Sequence, residues 1–465
     1  MIDTIMVIVY FVVIFVIGVL MYRRSRNYDD YLVAGRKFNA FFIAMTIAAG
    51  ISSATVGVAG LGYSFGMVGA WFFIMLAVGA WILLFTVAGR LRALAQYSLI
   101  DVFNMRYDAR ARVTLSILGT IAYVILLSIG FVGGGQVLKS LFNIPLFPAM
   151  LIMAVPFITY TALGGLWASA VTNIIKFCIL CVGLVILVSF AISRAGGWAH
   201  LKATLPPGSF NLFSAGAWPF VWAFFWVMTL SMWVAADIYQ LVFSAKDARA
   251  AKVGLSFAGV IIAVVGLAAA FIGMGASVIF PKIDPEAAMP TLAATLAPGL
   301  RGLVAIAMLS GSAIAVVIFQ IVAATQLVRG IWPQKQMSMN KVRWISALMG
   351  VLGLLFAWLD PNVVSLTELT FRIFIPATFI PTLAAFYWRR ATAVGALLSS
   401  LVGVAASVLW HLLVLPALTS PLDSWFEPAF IGVTVSFVVL VVASFLSKPS
   451  PAEKWQQFMP QRSQM

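Results

Sequence analysis

Apolar runs of membrane-spanning length recur along this chain from end to end. Thirteen can be drawn, at about residues 4–22, 40–62, 67–89, 113–138, 145–163, 168–193, 216–243, 253–280, 300–328, 342–359, 367–388, 393–416 and 427–446. A bilayer core ~30 Å thick is crossed by about twenty apolar residues of helix. Within it each backbone N–H and C=O has to be satisfied by protein, so such runs fold as helices. The expected fold is therefore an all-α polytopic membrane protein with about 13 transmembrane helices. Composition agrees. Only 9% of the 465 residues are charged, against about 25% in a soluble domain.

The net charge of +15 raises nucleic acid as a partner, but its distribution points elsewhere. Of 29 Lys and Arg, 22 fall in loops after odd-numbered runs or in the tail, among them Arg23, Arg24, Arg26, Arg90, Arg92, Arg110, Arg112, Lys246, Arg389 and Arg390. Five fall after even-numbered runs: Lys139, Arg194, Lys202, Lys282 and Arg301. Basic loops stay cytoplasmic, so the N-terminus is expected outside and the C-terminus inside, with no nucleic-acid partner. The start, "MIDTIMVIV", has no basic region and no cleavage site, so the first run is expected to be a retained span. Cys178 and Cys181 share one apolar run and have no second pair, so they read as small core hydrophobes. With two histidines in the chain and no catalytic constellation, no metal, no cofactor and no enzymatic activity are expected. A cell-membrane protein is expected, with no attached kinase or other soluble domain.

Two runs carry internal breaks. The second, "FFIAMTIAAGISSATVGVAGLGYSFG", holds Gly50, Gly57, Gly60 and Gly62 around the hydroxyls of Ser52, Ser53 and Thr55. The seventh, "FVWAFFWVMTLSMWVAADIYQLVF", holds Thr229 and Ser231 at its middle and Asp237 toward its inner end. Backbone freed at membrane depth is tolerated where protein covers it or a cavity meets it; close packing through small residues is the alternative. Interruptions five runs apart point to a five-plus-five inverted repeat with a midplane site. The division is then a single transmembrane domain, 1–446, and a short cytoplasmic tail, 447–465. Within the domain lie a leading helix and loop (4–39), a first repeat (40–193), a second repeat (216–388) and trailing helices (393–446).

Five stretches, in order, resemble the sodium:solute symporter family, the relatives of sodium–glucose and sodium–proline transporters. They are "DDYLVAGRKFN", "ATVGVAGLGYSFG", "YTALGGLWASAVTNIIK", "YQLVFSAKDARAAKVG" and "FYWRRATAVGAL". The resemblance covers about residues 4–446 and implies a leucine-transporter-type fold and secondary transport of a small solute. It also exposes departures. Where the family has Thr-Asp, this chain has Thr172-Asn173, and the family's Gln is Lys176. Two adjacent hydroxyl residues of the ninth run map to Ile314 and Ala315. The carbonyl donors of the family's sodium site map to Ala48, Ile51 and Gly311. A hard cation stripped of side-chain oxygens is left under-coordinated. A one-turn slip of this alignment would bring Ser310 to the place of Ile314 and recover one hydroxyl.

Lys176 lies about eight residues into its run, ~12 Å deep, near the limit of snorkelling. An intramembrane ionisable group is a functional candidate. A fixed ammonium here would supply the charge that sodium supplies elsewhere, as a lysine does in sodium-independent amino-acid transporters of the same general fold, or it would carry a coupling proton. The bland alternative is a lysine solvated by an inner vestibule. Arg372, ~24 Å up its run, follows Glu368 at the favourable helical spacing. The pair is either interfacial or an outer gate that attracts an anionic cargo.

The resulting expectation is a secondary transporter working by alternating access between runs two and seven. Ser52, Ser53, Thr55, Thr229 and Ser231 are candidate solute ligands. Thr55, Met228 and Ala235 stand where sugar-transporting members have amides, which favours a carboxylate or amino-acid-like solute. Proton coupling or uncoupled exchange is favoured, with a sodium symporter as the alternative. A transporter-fold sensor acting through a partner kinase is the rival of another class.

Overall fold

The computed structural model describes residues 1–23, 27–214, 217–333, 337–414 and 427–459. Arg24 and Arg26 of the first basic loop and residues 460–465 of the tail lie outside them. Helix α1 (Ile2–Leu20) leads, and α2 (Tyr28–Val33) follows on the first loop. Then come α3 (Ala40–Ser52), α4 (Thr55–Phe65), α5 (Trp71–Thr86), α6 (Ala88–Leu94), α7 (Leu99–Arg106), α8 (Ala109–Phe142) and α9 (Leu146–Arg194). After α10 (Trp198–Thr204) the chain continues through α11 (Ala217–Phe224), α12 (Leu230–Val234), α13 (Ala236–Ser244) and α14 (Ala248–Ile279). It goes on through α15 (Ala288–Ala294), α16 (Leu300–Ile331), α17 (Met339–Leu359) and α18 (Val363–Tyr387), and ends with α19 (Ala393–Leu409), α20 (Pro428–Leu446) and α21 (Glu453–Gln456). Among the described residues there is no strand, only one isolated bridge between Phe38 and Ala245.

Eleven helices among the described residues are long and apolar enough to cross a membrane, against thirteen runs in the sequence. Two of the eleven each cover two of the runs. Helix α9 has 49 residues, ~74 Å at 1.5 Å per residue, more than twice a bilayer core. The stretch Thr55–Thr86 joins α4 to α5 through a turn at Gly66, and α3, with 13 residues, is too short to count alone.

The bend in α9 explains "YTALGGLWAS". Gly165 sits at φ 59°, ψ −152°, a region open essentially only to glycine. Bending there frees carbonyls of the preceding turn, and the Tyr31 hydroxyl of α2 donates to Ala162 O at 3.0 Å. Helix starts are set by side-chain caps. The side chains of Asn39, Asp108, Asp247, Asn362 and Thr392 accept the amides of Phe42, Ala111, Ala250, Ser365 and Gly395.

Helix α16 is the axis of the bundle. In its apolar window 89% is buried, against 22% in the trailing α19. Small residues let neighbours approach it closely. Gly183 of α9 abuts Ala307, and a Cβ at Gly130 of α8 would stand 2.6 Å from Ser312 O. At the opposite end of the chain Asp3 locks α1 onto the start of α16. Its carboxylate accepts the amides of Gly299 (2.7 Å) and Gly302 (3.0 Å) and pairs with Arg301 at 2.6 Å.

Candidate functional site

Both interrupted runs are broken helices. Between α3 and α4 the chain turns at Ser53 and Ala54. Between α12 and α13, Ala235 takes φ −55°, ψ 117°, just after a π-helical turn over Phe225–Thr229.

The five candidate solute ligands divide. Ser52 is fully buried and its hydroxyl has no protein partner. Ser53 donates to Gly50 O at 2.8 Å, Thr229 to Met75 O of α5 at 3.0 Å, and Ser231 to Met228 O at 2.9 Å. Thr55 is buried at the start of α4. The hydroxyls of Ser53, Thr229 and Ser231 are therefore spent on backbone in this conformation.

Helix α16 faces the α3–α4 break. A Cβ built on Gly311 would lie 3.7 Å from Ser52 O and 3.8 Å from Ser53 Cα, and one on Gly50 would lie 3.0 Å from Ile318 Cδ1. The segment of α16 alongside Gly50–Ser53 thus runs from Gly311 to Ile318 and includes the buried Ile314 and Ala315. Ala48 and Ile51 belong to the same turns of α3. Ser310 points away: its hydroxyl donates to the Tyr10 hydroxyl of α1 at 2.9 Å. At the break itself the buried hydroxyls of Ser52 and Thr55 remain.

Lys176 is fully buried, which corrects the reading of a lysine solvated by a vestibule. Its ammonium donates to the Tyr160 hydroxyl at 2.8 Å and to Asn173 Oδ1 at 3.0 Å. It also stands 5.2 Å and 5.5 Å above the Phe157 and Tyr160 rings, within cation–π range. Phe157 and Tyr160 precede the Gly165 bend and Lys176 follows it, so the lysine ties the two limbs of α9 together. Asn173 is held in turn, donating to Ser169 Oγ at 3.1 Å. Among the described residues no carboxylate reaches Lys176. Helices α9 and α16 run antiparallel here, with Gly183 against Ala307 and Leu180 3.8 Å from a Cβ on Gly311. One turn along each helix from that contact lie Lys176 on one side and Ile314 and Ala315 on the other. Lys176 and the apolar pair Ile314 and Ala315 share a level.

Arg372 is 7% exposed and bonds Glu368 at 2.7 Å, and its Nε has no partner among the described residues. His411, in the π turn after α19, and Glu427, the N-cap of α20, lie within reach of its charge. The pair therefore addresses the junction of the trailing helices rather than the α3–α4 break.

Two arrangements were not legible in the sequence. Asp237, in the first turn of α13, accepts from the Tyr123 hydroxyl of α8 at 2.6 Å. At the far end of α16, Arg329 pairs with Asp101 of α7 at 2.7 Å and lies over the Tyr97 ring. Tyr97 donates to Asp29; burial, then the Asp29 carboxylate, push its hydroxyl up to about 12, so it remains a donor at neutral pH. The charges of Asp237 and Arg329 are visible in the sequence, but Tyr123 sits on another run and Asp101 in a loop between runs, and no spacing rule joins them.

A bundle that is all-helical among the described residues, with two broken helices, defines the class. A sodium-coupled sialic acid symporter in a substrate-bound, outward-open state superposes with TM-score 0.80 at 16% identity, over 97% of this chain and 99% of its own. A nucleobase-cation-symport-1 family transporter, closed around bromovinylhydantoin, superposes with TM-score 0.62 at 14% identity, over 93% and 98%. The fold is that of a leucine-transporter-type membrane solute transporter. The sodium:solute symporter family model matches residues 31–403, and the chain belongs to that family. A sodium/proline symporter of Staphylococcus aureus (strain JH9) is 26% identical over 489 aligned residues, covering 96% of this chain and 92% of its own.

Proposed function

We propose that this family member moves a small carboxylate or amino-acid-like solute by alternating access without requiring sodium, through proton coupling or exchange. The observation that carries the reading is the face of α16 toward the α3–α4 break. Ile314 and Ala315 offer no side-chain oxygen there, Asn173 replaces an acid, and the buried Lys176 brings a positive charge to the same level. Sodium prefers several oxygens at close range, and an unfilled shell leaves its dehydration uncompensated. Ser52 and Thr55 are the proposed solute ligands at the break; Ser53, Thr229 and Ser231 would join them after a change of rotamer. Thirteen crossings in a five-plus-five inverted repeat, with the N-terminus outside and the tail cytoplasmic, belong to the same proposal. Two halves would then rock about the breaks. The outer-gate role of Arg372 and Glu368 is the less favoured part, since both face the trailing helices.

The second reading is a sodium-coupled symporter. The names of its relatives support it, since the aligned Staphylococcus aureus protein is a sodium/proline symporter and the sialic acid symporter is sodium-coupled. Uptake into proteoliposomes separates the two, with choline replacing sodium and with or without a pH gradient. L-proline and a panel of small carboxylates serve as probes. Uptake that persists in choline is expected. Uptake that collapses without sodium and ignores the proton gradient refutes the proposal.

A further inference from the structure

Asp237 is the buried carboxylate that the site described above leaves without a task. It lies seven residues from the end of α13 at Ser244, ~10 Å along the helix axis, inside the apolar stretch Ala217–Ser244. Its exposure is 9%. Holding an ionised carboxylate in such surroundings costs several kcal/mol unless a cation or several donors compensate it. No cation does. Among the described residues the ion pairs are Asp3–Arg301, Asp101–Arg329 and Glu368–Arg372.

Charged groups on the elements packed around α13 are engaged elsewhere. Arg329 of α16 holds Asp101, Arg36 donates to Gln96 O, and Arg92 donates to Ala245 O. Arg90 donates to Thr86 O and the Tyr387 hydroxyl, while Asp29 accepts from Tyr97. The ionisable group that faces Asp237 is Tyr123. Its hydroxyl donates to Asp237 Oδ1 at 2.6 Å and accepts the Asp237 amide at 3.2 Å. The Tyr123 ring is fixed edge-on between Phe319 of α16 and Phe374 of α18.

The position matters as much as the chemistry. Asp237 is two residues past the non-helical Ala235. On the near side of that break α12 and its π turn are bonded to α5, through Thr229 to Met75 O and Trp233 Nε1 to Thr86 Oγ1 at 2.9 Å. On the far side α13 is bonded to α8 through Asp237 and Tyr123. The carboxylate therefore sits where the halves of a broken helix are attached to different partners.

We propose that Asp237, held by Tyr123, is the proton-binding site of the transport cycle. The carboxylate takes a proton from the side to which the α12–α13 junction is open, crosses the cycle neutral, and returns the proton to the other side. The net movement is one proton with no change in the protein. The proton-coupled reading proposed above is the frame in which this site acts.

The test uses the full chain in lipid and needs no solute. Infrared difference spectra are recorded as a function of pH for the wild type, Asp237→Asn and Tyr123→Phe. The expected result is a carbonyl band of a protonated carboxylic acid that titrates in the wild type. It should be lost in Asp237→Asn and shifted in frequency and midpoint in Tyr123→Phe. A wild type without such a band, or a band unchanged in both variants, overturns the proposal. If Asp237→Asn does not insert, Tyr123→Phe, which keeps the carboxylate, decides alone. Sodium that shifts the wild-type midpoint by competition would overturn it in favour of a cation site. The coupling reading is judged separately by uptake under a pH gradient: uptake that ignores the gradient while the band behaves as expected removes the reading and leaves the proton site.

Discussion

Lys176→Met removes the buried ammonium while nearly conserving volume. Two bonds from a charged donor are lost, to Tyr160 and Asn173, each worth about 1.5–3 kcal/mol net. Against this stands the removal of an ammonium that no carboxylate among the described residues neutralises, whose desolvation costs several kcal/mol. The two effects nearly cancel, and stability should change by no more than about 2 kcal/mol. Lys176→Ala differs, because it leaves a cavity between the Phe157 and Tyr160 rings and should cost ~2–4 kcal/mol. Function should separate from stability. Across an interhelical spacing of about 8–10 Å and an effective dielectric of ~20, the lysine opposes a cation beside Ile314 by ~2 kcal/mol. That corresponds to about twentyfold in sodium affinity. Sodium-free transport in Lys176→Met should fall at least ~tenfold. Sodium should restore it only when Ile314→Ser, Ala315→Ser and Asn173→Asp are added. Thermal unfolding followed by fluorescence, and proteoliposome uptake in choline and in sodium, provide the two readouts. Wild-type uptake in choline by a folded Lys176→Met protein would refute the reasoning.

Three further outcomes are expected. Gly165→Ala forces a side chain into a φ of 59° and within 2.5 Å of the Tyr31 ring; it should cost at least ~3 kcal/mol and lower the yield of folded protein in detergent. Accessibility tags at residues 205 and 455 should report outside and inside, and a cytoplasmic signal at 205 would overturn the thirteen crossings. Arg372→Gln should leave insertion intact. A weakened apparent affinity for anionic solutes in uptake assays would give Arg372 the gate role, and unchanged affinity would reduce it to a structural partner of Glu368.

Much of the fold was legible because lipid permits so few solutions. Each apolar run had to become helical, and the glycine and hydroxyl cluster marked the α3–α4 break, whereas the Ala235 break lies four residues past Ser231. The run boundary near residue 165 was visible as "ALGG", and the non-helical Gly165 divides α9 into two limbs there. The size of the bend was not visible, because hydropathy sees composition rather than φ and ψ. The candidate site was legible only in part. Lys176 stood out by its charge, but its cage of Phe157, Tyr160 and Asn173 depends on the return of α9 upon itself, which no local period encodes. Thr229 and Ser231 were singled out by chemistry, and the structure spends their hydroxyls on Met75 O and Met228 O. Hydroxyls in helices commonly bond backbone, and a sequence cannot tell a spent donor from a free one. Asp237 was noticed, but its pairing with Tyr123 joins residues 114 positions apart and required the packed bundle.

Equilibrium binding of radiolabelled sodium to the purified protein, in choline buffer and without solute, tests sodium independence most directly. The α16 face with Ile314 and Ala315 beside the α3–α4 break and the buried Lys176 at the same level should leave no saturable binding. Saturable, stoichiometric binding that Lys176→Met leaves unchanged would contradict that expectation and make the chain a sodium symporter like its named relatives.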